Sequence, residues 1–364
     1  MKLQFLNPLY ERPGPIASVY LDTSRDIDEP DRAIQLRWRN LRDGLLAHDT
    51  DHATLDAIAD VVGADRDVAG RHGQAIFAAH GHLLLAEVLP EPPAHDTARY
   101  GMLPDTLPLA LQHAPDIRYV VVVAHRMHTA EAGDGEDELE VAYDTGSWPM
   151  SRVAPSQAPQ RRIPVEGWPK EAEQLISELA DSVDRDGTEV IVLSGDPWAT
   201  NSLIRLAPRK LQDRFVRLKD SGHWRPEPGR ALLETGLGTL FAGTLPDHDR
   251  QQLDAFLAQR ARRRDDVEGL AATVTALQRA QTQALILNQP VSEAPPLWVG
   301  TEPTHVALSG ADLHAFGVPY YWEEPAGGAL IRATAGTRAE LIAVTRDALP
   351  LREGLAVLLR YPGT

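Results

Sequence analysis

The residues of this sequence that are most suited to chemistry lie in one proline-rich segment near its middle, VAPSQAPQRRIPVEGW (153–168). Two glutamines in it, Gln157 and Gln160, carry amide groups that can hydrogen-bond a substrate or a water molecule. The adjacent Arg161 and Arg162 carry planar guanidinium groups that suit phosphate oxygens. The segment has three prolines and neither helical nor strand periodicity. We therefore predict a long surface loop on a folded domain.

No recognised enzyme motif accompanies this loop. The sequence has no GxSxG elbow, no HExxH motif and neither of the glycine-rich motifs that bind nucleotides. His125 and His128 could ligate a metal ion together with carboxylates of the acidic run that follows, 131–140. That run lacks calcium-loop spacing, however, and is typical of a solvated hairpin tip. In SGDPW (194–198) we predict that Asp196 caps a helix N-terminus. We predict no metal site and no cofactor.

Composition limits the classes of protein that need consideration. A chain of 364 residues predicts two or three domains. No apolar run approaches the roughly 20 residues of a membrane helix. The sequence has no cysteine, which excludes disulfides and thiolate metal sites and is typical of a cytoplasmic protein. Because the net charge is −16, any binding to nucleic acid must depend on local basic patches.

Basic residues do concentrate locally. Residues 201–230 contain eight Lys or Arg against three acidic residues, and the loop region contributes more. We predict RNA binding by Arg152, Arg161, Arg162, Lys170, Arg205, Arg209, Lys210, Arg214, Arg217 and Lys219. Together these residues would form one basic face for phosphate contacts. An ordinary helix surface followed by a linker is the alternative interpretation.

Hydrophobic patterning predicts an α+β block followed by an α/β block. The first block, residues 1–115, begins with the strand-like ASVYLDTSRD (17–26), followed by two helices and a β-hairpin. The middle block, residues 116–225, begins with the apolar run RYVVVVAH (118–125), which is typical of a strand buried on both faces. An alternating partner strand, the loop (145–168), and a helix–strand–helix order follow.

The C-terminal block, residues 230–364, is also predicted to be α/β. SGHWRPEPGR (221–230) is typical of a linker that leads into it. Two charged helices are predicted at about 247–264 and 265–282, followed by the apolar strand QALILN. A helix–turn–strand pattern and the closing strand GLAVLLRY (354–361) complete the block.

Three pieces of the chain carry a resemblance to a known family: VYLDTSRD, RYVVVVA with the loop behind it, and ALIRATAGTRAELIAVTRDALPLREGLAVLLRY (329–361). Across essentially the whole length, the chain resembles bacterial and archaeal relatives of the archaeal/eukaryotic class-I peptide release factors and Pelota. It is most similar to the actinobacterial branch that resembles the ribosome hibernation factor Balon. The resemblance implies an N-terminal domain that faces the decoding site, a ribonuclease-H-like middle domain and a C-terminal domain like the kink-turn-binding ribosomal proteins.

The loop departs from the family pattern. Release factors carry Gly-Gly-Gln there, whereas this chain has Ala154-Pro155 and Ala158-Pro159 beside Gln157 and Gln160. Proline fixes φ near −65° and alanine disfavours positive φ, so neither pair reproduces the backbone of two glycines. We therefore assign no catalytic residue, and Gln157 and Gln160 are the only candidates for that role.

The resemblance predicts a non-catalytic ribosome-binding factor that occupies the tRNA acceptor site of idle or stalled ribosomes under stress. The alternative is a peptidyl-tRNA hydrolase or ribosome-rescue enzyme that acts through the loop around Gln157. The implied partners are ribosomal RNA and elongation factor Tu, with no DNA and no membrane. We expect a cytoplasmic monomer.

Overall fold

The computed structural model describes residues 1–12, 14–128, 137–154, 160–218, 228–262 and 267–361. The chain divides into two compact units. Unit 1 combines Met1–Pro115 with His248–Thr364, and unit 2 is Asp116–Asp247. The predicted class, α/β and α+β with several domains, is confirmed. The boundaries of the three predicted domains stay predictions.

The N-terminal part of unit 1 is an antiparallel sheet with helices on both sides. Its elements are β1 (Ile16–Asp22), α1 (Pro30–Ala47), α2 (His52–Ala59), β2 (Gly73–Ala79), β3 (His82–Leu89), β4 (Thr97–Gly101) and α3 (Leu107–His113). The strand order is β3-β2-β1-β4, with α1 and α2 on one side of the sheet and α3 on the other. Strand β1, helices α1 and α2, and the β2–β3 hairpin are confirmed, while β4 and α3 were not predicted.

The polar end of the DTSRD motif forms a turn. Asp22 Oδ1 accepts a hydrogen bond from the backbone nitrogen of Ser24 at 2.8 Å. Thr23 Oγ1 donates to the buried Asp65 at 2.6 Å, and His72 Nε2 lies 3.2 Å from the same carboxylate oxygen. Burial acts to raise the pKa of Asp65, but the close contact with His72 and the hydrogen bond from Thr23 outweigh it and lower that pKa. These contacts give the motif a structural role.

Unit 2 contains a mixed five-stranded sheet. Its elements are β5 (Ile117–His128), β6 (Asp137–Trp148), β7 (Gln160–Pro164), α4 (Trp168–Asp186), β8 (Val190–Gly195), α5 (Pro197–Leu206), α6 (Arg209–Gln212), β9 (Phe215–Arg217) and α7 (Pro228–Phe241). The order is β7-β6-β5-β8-β9, with β5, β8 and β9 parallel. The predicted linker 221–230 is wrong at its end, because α7 already includes residues 228–230.

The C-terminal part of unit 1 contains the remaining elements. They are α8 (Asp247–Arg262), α9 (Leu270–Gln278), β10 (Thr282–Gln289), β11 (Leu297–Gly300), β12 (Val306–Ala307), α10 (Gly310–Ala315), β13 (Tyr321–Glu324), α11 (Ala326–Gly336), β14 (Glu340–Thr345) and β15 (Leu355–Leu359). The predicted helix 265–282 is wrong at both ends. Glu268 forms a β-bridge with Ala356. Gly269 has φ of 89°, and α9 begins only at Leu270. Helix α9 stops at Gln278, Ala280 has φ of 52°, and Thr282 already begins β10.

Alternate residues of β1 contribute to two separate cores in unit 1. Val19 and Leu21 pack with residues of α1 and α2. Ile16 and Tyr20 join a larger core that includes Leu285 and other side chains of the C-terminal segment. The period of two along a strand sends these sets to opposite faces. Among the described residues, no helix is long and apolar enough to cross a bilayer.

A buried carboxylate links the two chain segments of unit 1. Glu324, at the end of β13, is 3% exposed and forms an ion pair with Arg99 of β4. The same carboxylate accepts hydrogen bonds from the Leu103 backbone nitrogen and from Trp322 Nε1, both at 3.2 Å. The ion pair with Arg99 stabilises the fold, because a buried carboxylate without a countercharge would lower the free energy of unfolding.

We predict that Arg99→Ala lowers the free energy of unfolding by about 2–3 kcal/mol, because it leaves the Glu324 carboxylate buried without its countercharge. Urea unfolding measures the change. The matched control is Arg32→Ala, which removes an ion pair between two exposed side chains, Arg32 and Glu29, and should cost less than about 0.5 kcal/mol. Equal costs for the two variants would contradict the role of Glu324.

Candidate nucleic-acid interface

Strand β5 is the central strand of the unit 2 sheet, and its apolar run is buried on both faces. Val120, Val122 and Ala124 pack with residues of α4 and α5. Tyr119 and Val121 point to the opposite face and pack with residues of α7. Helices therefore cover both faces of the sheet, which explains the absence of polar residues from this run. The functional candidates lie at the edges and ends of the sheet.

The proline-rich loop connects β6 to β7. The predicted bounds of this loop, 145–168, are wrong at both ends, because residues 145–148 belong to β6 and residues 160–164 form β7. Gln160, the first residue of β7, pairs with Ala142, so residues 143–148 of β6 extend beyond the start of β7. At about 3.4 Å per residue, this part of β6, which pairs with β5 but not with β7, is about 20 Å long. Gln157 lies in 155–159, outside the described residues, whereas Gln160 is exposed and its backbone is fixed by the pairing with β6.

The start of the loop is attached to the sheet. Tyr119 Oη donates to Ser151 Oγ at 2.9 Å, and the guanidinium carbon of Arg152 lies 5.7 Å from the centre of the Trp148 ring. Gly146 makes room for this contact, because a Cβ atom there would lie 2.9 Å from both Ser151 and the Tyr119 ring. The Trp148 ring therefore supports the guanidinium group of Arg152 at the start of the loop.

The neighbouring Arg161 and Arg162 do not act as a pair. Successive residues of a strand point to opposite faces, so the two side chains diverge. Arg161 reaches α4, where its guanidinium lies 3.0 Å from Glu171 Oε1, and this hydrogen bond raises the pKa of Arg161. Arg162 is exposed and lies opposite Glu140 in β6. Within the described part of the chain, no hydrogen bond or ion pair of Arg162 is found.

Several of the predicted cations have partners within unit 2. Arg214 donates to the carbonyl oxygen of Thr188 at 2.7 Å and supports the start of β8. Lys210 forms an exposed ion pair with Asp184, and Arg217 donates to Asn201 Oδ1. These contacts leave the side chains charged but restrict their positions.

The structure separates the predicted RNA-binding residues into different parts of unit 2. One group flanks the loop or begins α4: Arg152, Arg161, Arg162 and Lys170. The other lies on α5, on α6, on β9 or in the turn between α6 and β9: Arg205, Arg209, Lys210, Arg214 and Arg217. Strands β7 and β9 are at opposite edges, four strand spacings or about 19 Å apart. Lys219 lies outside the described residues, and RNA binding by these side chains stays a prediction.

Sequence reasoning missed a cluster where β5 ends and α5 begins. Arg126 Nε lies 3.1 Å from Asp196 Oδ2, and its NH1 atom lies 3.3 Å from Asp137 Oδ2. The hydrogen bond to Asp196 is the main cause that raises the pKa of Arg126. The guanidinium carbon also lies 5.5 Å from the centre of the Trp198 ring, and Trp198 is 40% exposed. An exposed indole beside a fixed guanidinium can stack with a nucleobase.

The predicted N-cap at Asp196 is confirmed. Asp196 Oδ1 accepts a hydrogen bond from the backbone nitrogen of Ala199 at 2.9 Å, and Pro197 is the first residue of α5. The two carboxylate oxygens therefore have separate roles, since Oδ1 caps the helix while Oδ2 binds Arg126. This local motif was visible in the sequence, but its partner Arg126, 70 positions away, was not.

Comparison with known proteins gives a family match that covers unit 2 from Arg118 and continues through α8, which belongs mainly to unit 1. Residues 118–262 match the family described as bacterial archaeo-eukaryotic release factor family 2. The match confirms the predicted resemblance to release-factor-like proteins. It covers the sheet of unit 2 and the loop between β6 and β7. The narrower resemblance to the actinobacterial branch stays a prediction.

Similar proteins and structures cover longer parts of the chain. Proteins of two Mycobacterium tuberculosis strains, CDC 1551 and H37Rv, are each 24% identical over 376 residues, covering 100% of this chain and 98% of the relative. A model of ribosome-bound archaeal Pelota is 13% identical, with a TM-score of 0.36 and coverage of 99% and 95%. Pelota of Archaeoglobus fulgidus is 10% identical, with a TM-score of 0.34 and coverage of 80% and 84%.

We predict that Asp196→Ala destabilises the protein by about 1–2 kcal/mol, because it removes the N-cap of α5 together with the charge that holds Arg126. Asp196→Asn keeps a capping oxygen and should cost less than about 1 kcal/mol. Urea unfolding compares both variants with Asp213→Ala, which removes an exposed carboxylate from the same unit. The assignment fails if Asp196→Ala is no more destabilising than Asp213→Ala.

Proposed function

We propose that this release-factor-like chain is a non-catalytic factor that binds ribosomal RNA at the tRNA acceptor site of idle or stalled ribosomes. The observation that carries the proposal is the match of residues 118–262 to a release factor family, because this range contains the sheet and the loop of unit 2. In release factors the equivalent loop enters the peptidyl-transferase centre. Here the same loop would approach RNA without catalysing hydrolysis.

The sequence of the loop supports a binding role. Ala154-Pro155 and Ala158-Pro159 replace the flexible glycines that release factors use. Gln160 lies in a paired strand, so its backbone lacks the freedom of a loop glutamine. Cations remain on both sides of the loop, with Arg152 supported by Trp148 and Arg162 exposed on β7.

The distribution of charge supports contacts with an extended RNA surface. In unit 2, one group of cations includes Arg161 and Arg162 on the edge strand β7, and the other includes Arg217 on the opposite edge strand β9. These two strands are about 19 Å apart. One phosphate could not contact both groups, whereas ribosomal RNA presents phosphates over a much larger surface. Because the whole chain has a net charge of −16, binding would depend on these local groups and not on a global field.

The proposal includes the cellular setting implied by the resemblance. The chain would act in the cytoplasm as a monomer during stress, with elongation factor Tu as a protein partner. The N-terminal part of the chain would face the decoding site, while unit 2 directs its loop towards the peptidyl-transferase centre.

We predict that the full chain sediments with 70S ribosomes at low salt and that Arg152→Ala/Arg162→Ala weakens this binding about tenfold. Loss of two phosphate contacts should also reduce the slope of log affinity against log salt by about 1.5. Arg185→Ala is the control, since Arg185 is an exposed arginine of unit 2 at the C-terminal end of α4. Ribosome binding that is absent in the wild type, or equal in all three proteins, would count against the proposal.

We predict that the wild type releases no peptide from peptidyl-tRNA on stalled ribosomes above the background rate. The double variant Gln157→Ala/Gln160→Ala should behave identically, because neither amide is held by a glycine-rich backbone. Quantifying released peptide over time gives the comparison. Release by the wild type that is lost in the variant would establish the alternative, peptidyl-tRNA hydrolysis through the loop.

A further inference from the structure

A second cluster of polar side chains lies in unit 1, away from the loop. His248 and Asp249 are in the first turn of α8, Gln252 is one turn later, and Glu340 begins β14. His248 Nε2 lies 2.6 Å from Glu340 Oε2. The side-chain nitrogen of Gln252 lies 2.6 Å from the same histidine nitrogen and also contacts Glu340 Oε2. The ligand atoms available on His248, Asp249 and Glu340 all lie within 4.8 Å of one another.

Three atoms meet at the centre of this cluster: His248 Nε2, Glu340 Oε2 and the side-chain nitrogen of Gln252. The following arrangements of protons do not give a hydrogen bond for each of their three close contacts. If His248 Nε2 carries a proton for Glu340, then it faces the amide nitrogen of Gln252 as a second donor. If His248 Nε2 is unprotonated, its lone pair faces the carboxylate oxygen of Glu340 instead. If the Gln252 amide is reversed, its oxygen faces that same carboxylate. Each arrangement leaves one close contact without a proton between its atoms.

The side chain of Gln252 provides independent evidence that a partner is missing. The residue is only 4% exposed, and its amide oxygen Oε1 has no hydrogen-bond partner among the described residues. The oxygen and nitrogen of an amide are assigned from their hydrogen bonds, and a 180° rotation would bring Oε1 into the cluster in exchange for the contacts that the amide nitrogen makes there. After that rotation, the amide oxygen joins the imidazole nitrogen and the carboxylate oxygen. The cluster then consists of electron-pair donors alone.

The fourth side chain is also short of a close partner. Asp249 is 3% exposed. Its Oδ1 atom lies 3.5 Å from the Met1 amino group. That amino group makes its shorter contact, 2.6 Å, to the carbonyl oxygen of Leu341. The Asp249 carboxylate therefore has one long contact with the amino group, and it offers an oxygen within 4.8 Å of the ligand atoms of His248 and Glu340.

We propose that His248, Asp249, Gln252 and Glu340 bind a divalent transition-metal ion of the Zn²⁺ class. An imidazole nitrogen combined with carboxylate oxygens suits such an ion better than Mg²⁺ or Ca²⁺, which take oxygen ligands. Zn²⁺ with bonds of about 2.0–2.1 Å in tetrahedral geometry holds its ligand atoms about 3.3 Å apart. His248 Nε2 and Glu340 Oε2 would separate by less than about 1 Å to reach that distance. The ion would tie α8 to β14.

Equilibrium dialysis of the full-length chain against Zn²⁺ or Mg²⁺, followed by elemental analysis, tests the site. The wild type should bind one Zn²⁺ per chain and no stoichiometric Mg²⁺. His248→Ala and Glu340→Gln should each weaken Zn²⁺ binding at least tenfold, whereas His314→Ala should bind as the wild type does. His314 is an exposed histidine on α10, so this control removes one imidazole from the surface without altering the cluster.

Thermal unfolding provides a second readout that does not depend on ribosome binding. Zn²⁺ should raise the Tm of the wild type and of His314→Ala, but not that of His248→Ala or Glu340→Gln. His248 is more than half exposed, so its replacement should leave the fold intact, and circular dichroism verifies this. The site is refuted if the wild type binds no Zn²⁺, or if the folded His248→Ala and Glu340→Gln variants bind it as tightly as the wild type does.

Discussion

Strand β5 buries side chains on both of its faces, and the functional candidates of unit 2 are positioned around this strand. Val120 and Val122 pack beneath α4 and α5, while Tyr119 and Val121 pack beneath α7. A strand held from both sides has a fixed register, because a slip by one residue would exchange its two sets of contacts. Because β6 and β8 pair with β5, their registers are fixed as well. The positions of the loop that follows β6 and of the helix cap that follows β8 depend on these strands.

Local sequence patterns predicted those parts of unit 2 that depend on neighbouring residues. The apolar run RYVVVVAH predicted β5, and SGDPW predicted the cap of α5 at Asp196. Contacts between residues that are far apart in the sequence could not be predicted from local patterns. Arg126 meets Asp196 and Trp198 only after β5 and β8 pair, and His248 meets Glu340 across 92 positions. The i, i+4 spacing of His248 and Gln252 was the one local indication of the second cluster.

Boundaries were wrong where tertiary packing overrode local preference. Residues after Gln278 continue a helical composition, yet the chain turns at Ala280 so that Thr282 can enter the buried strand β10. Helix α7 begins within a stretch rich in Gly and Pro that resembled a linker. The adjacent arginines 161 and 162 also looked like one basic patch in the sequence. On a strand they diverge, and Glu171 binds the first of them.

The absence of native cysteine allows a direct test of the central claim that the loop of unit 2 lies against ribosomal RNA. In Gln160→Cys the new thiol is unique, so it can carry a tethered iron chelate that cleaves nearby RNA with hydroxyl radicals. We expect the labelled Gln160→Cys protein, bound to 70S ribosomes, to cleave large-subunit RNA near the acceptor site, and we expect labelled Arg185→Cys to cleave no RNA there. Contact between the loop and ribosomal RNA would be contradicted if the Gln160→Cys protein is bound but its cleavage pattern matches that of Arg185→Cys, or if it cleaves no ribosomal RNA.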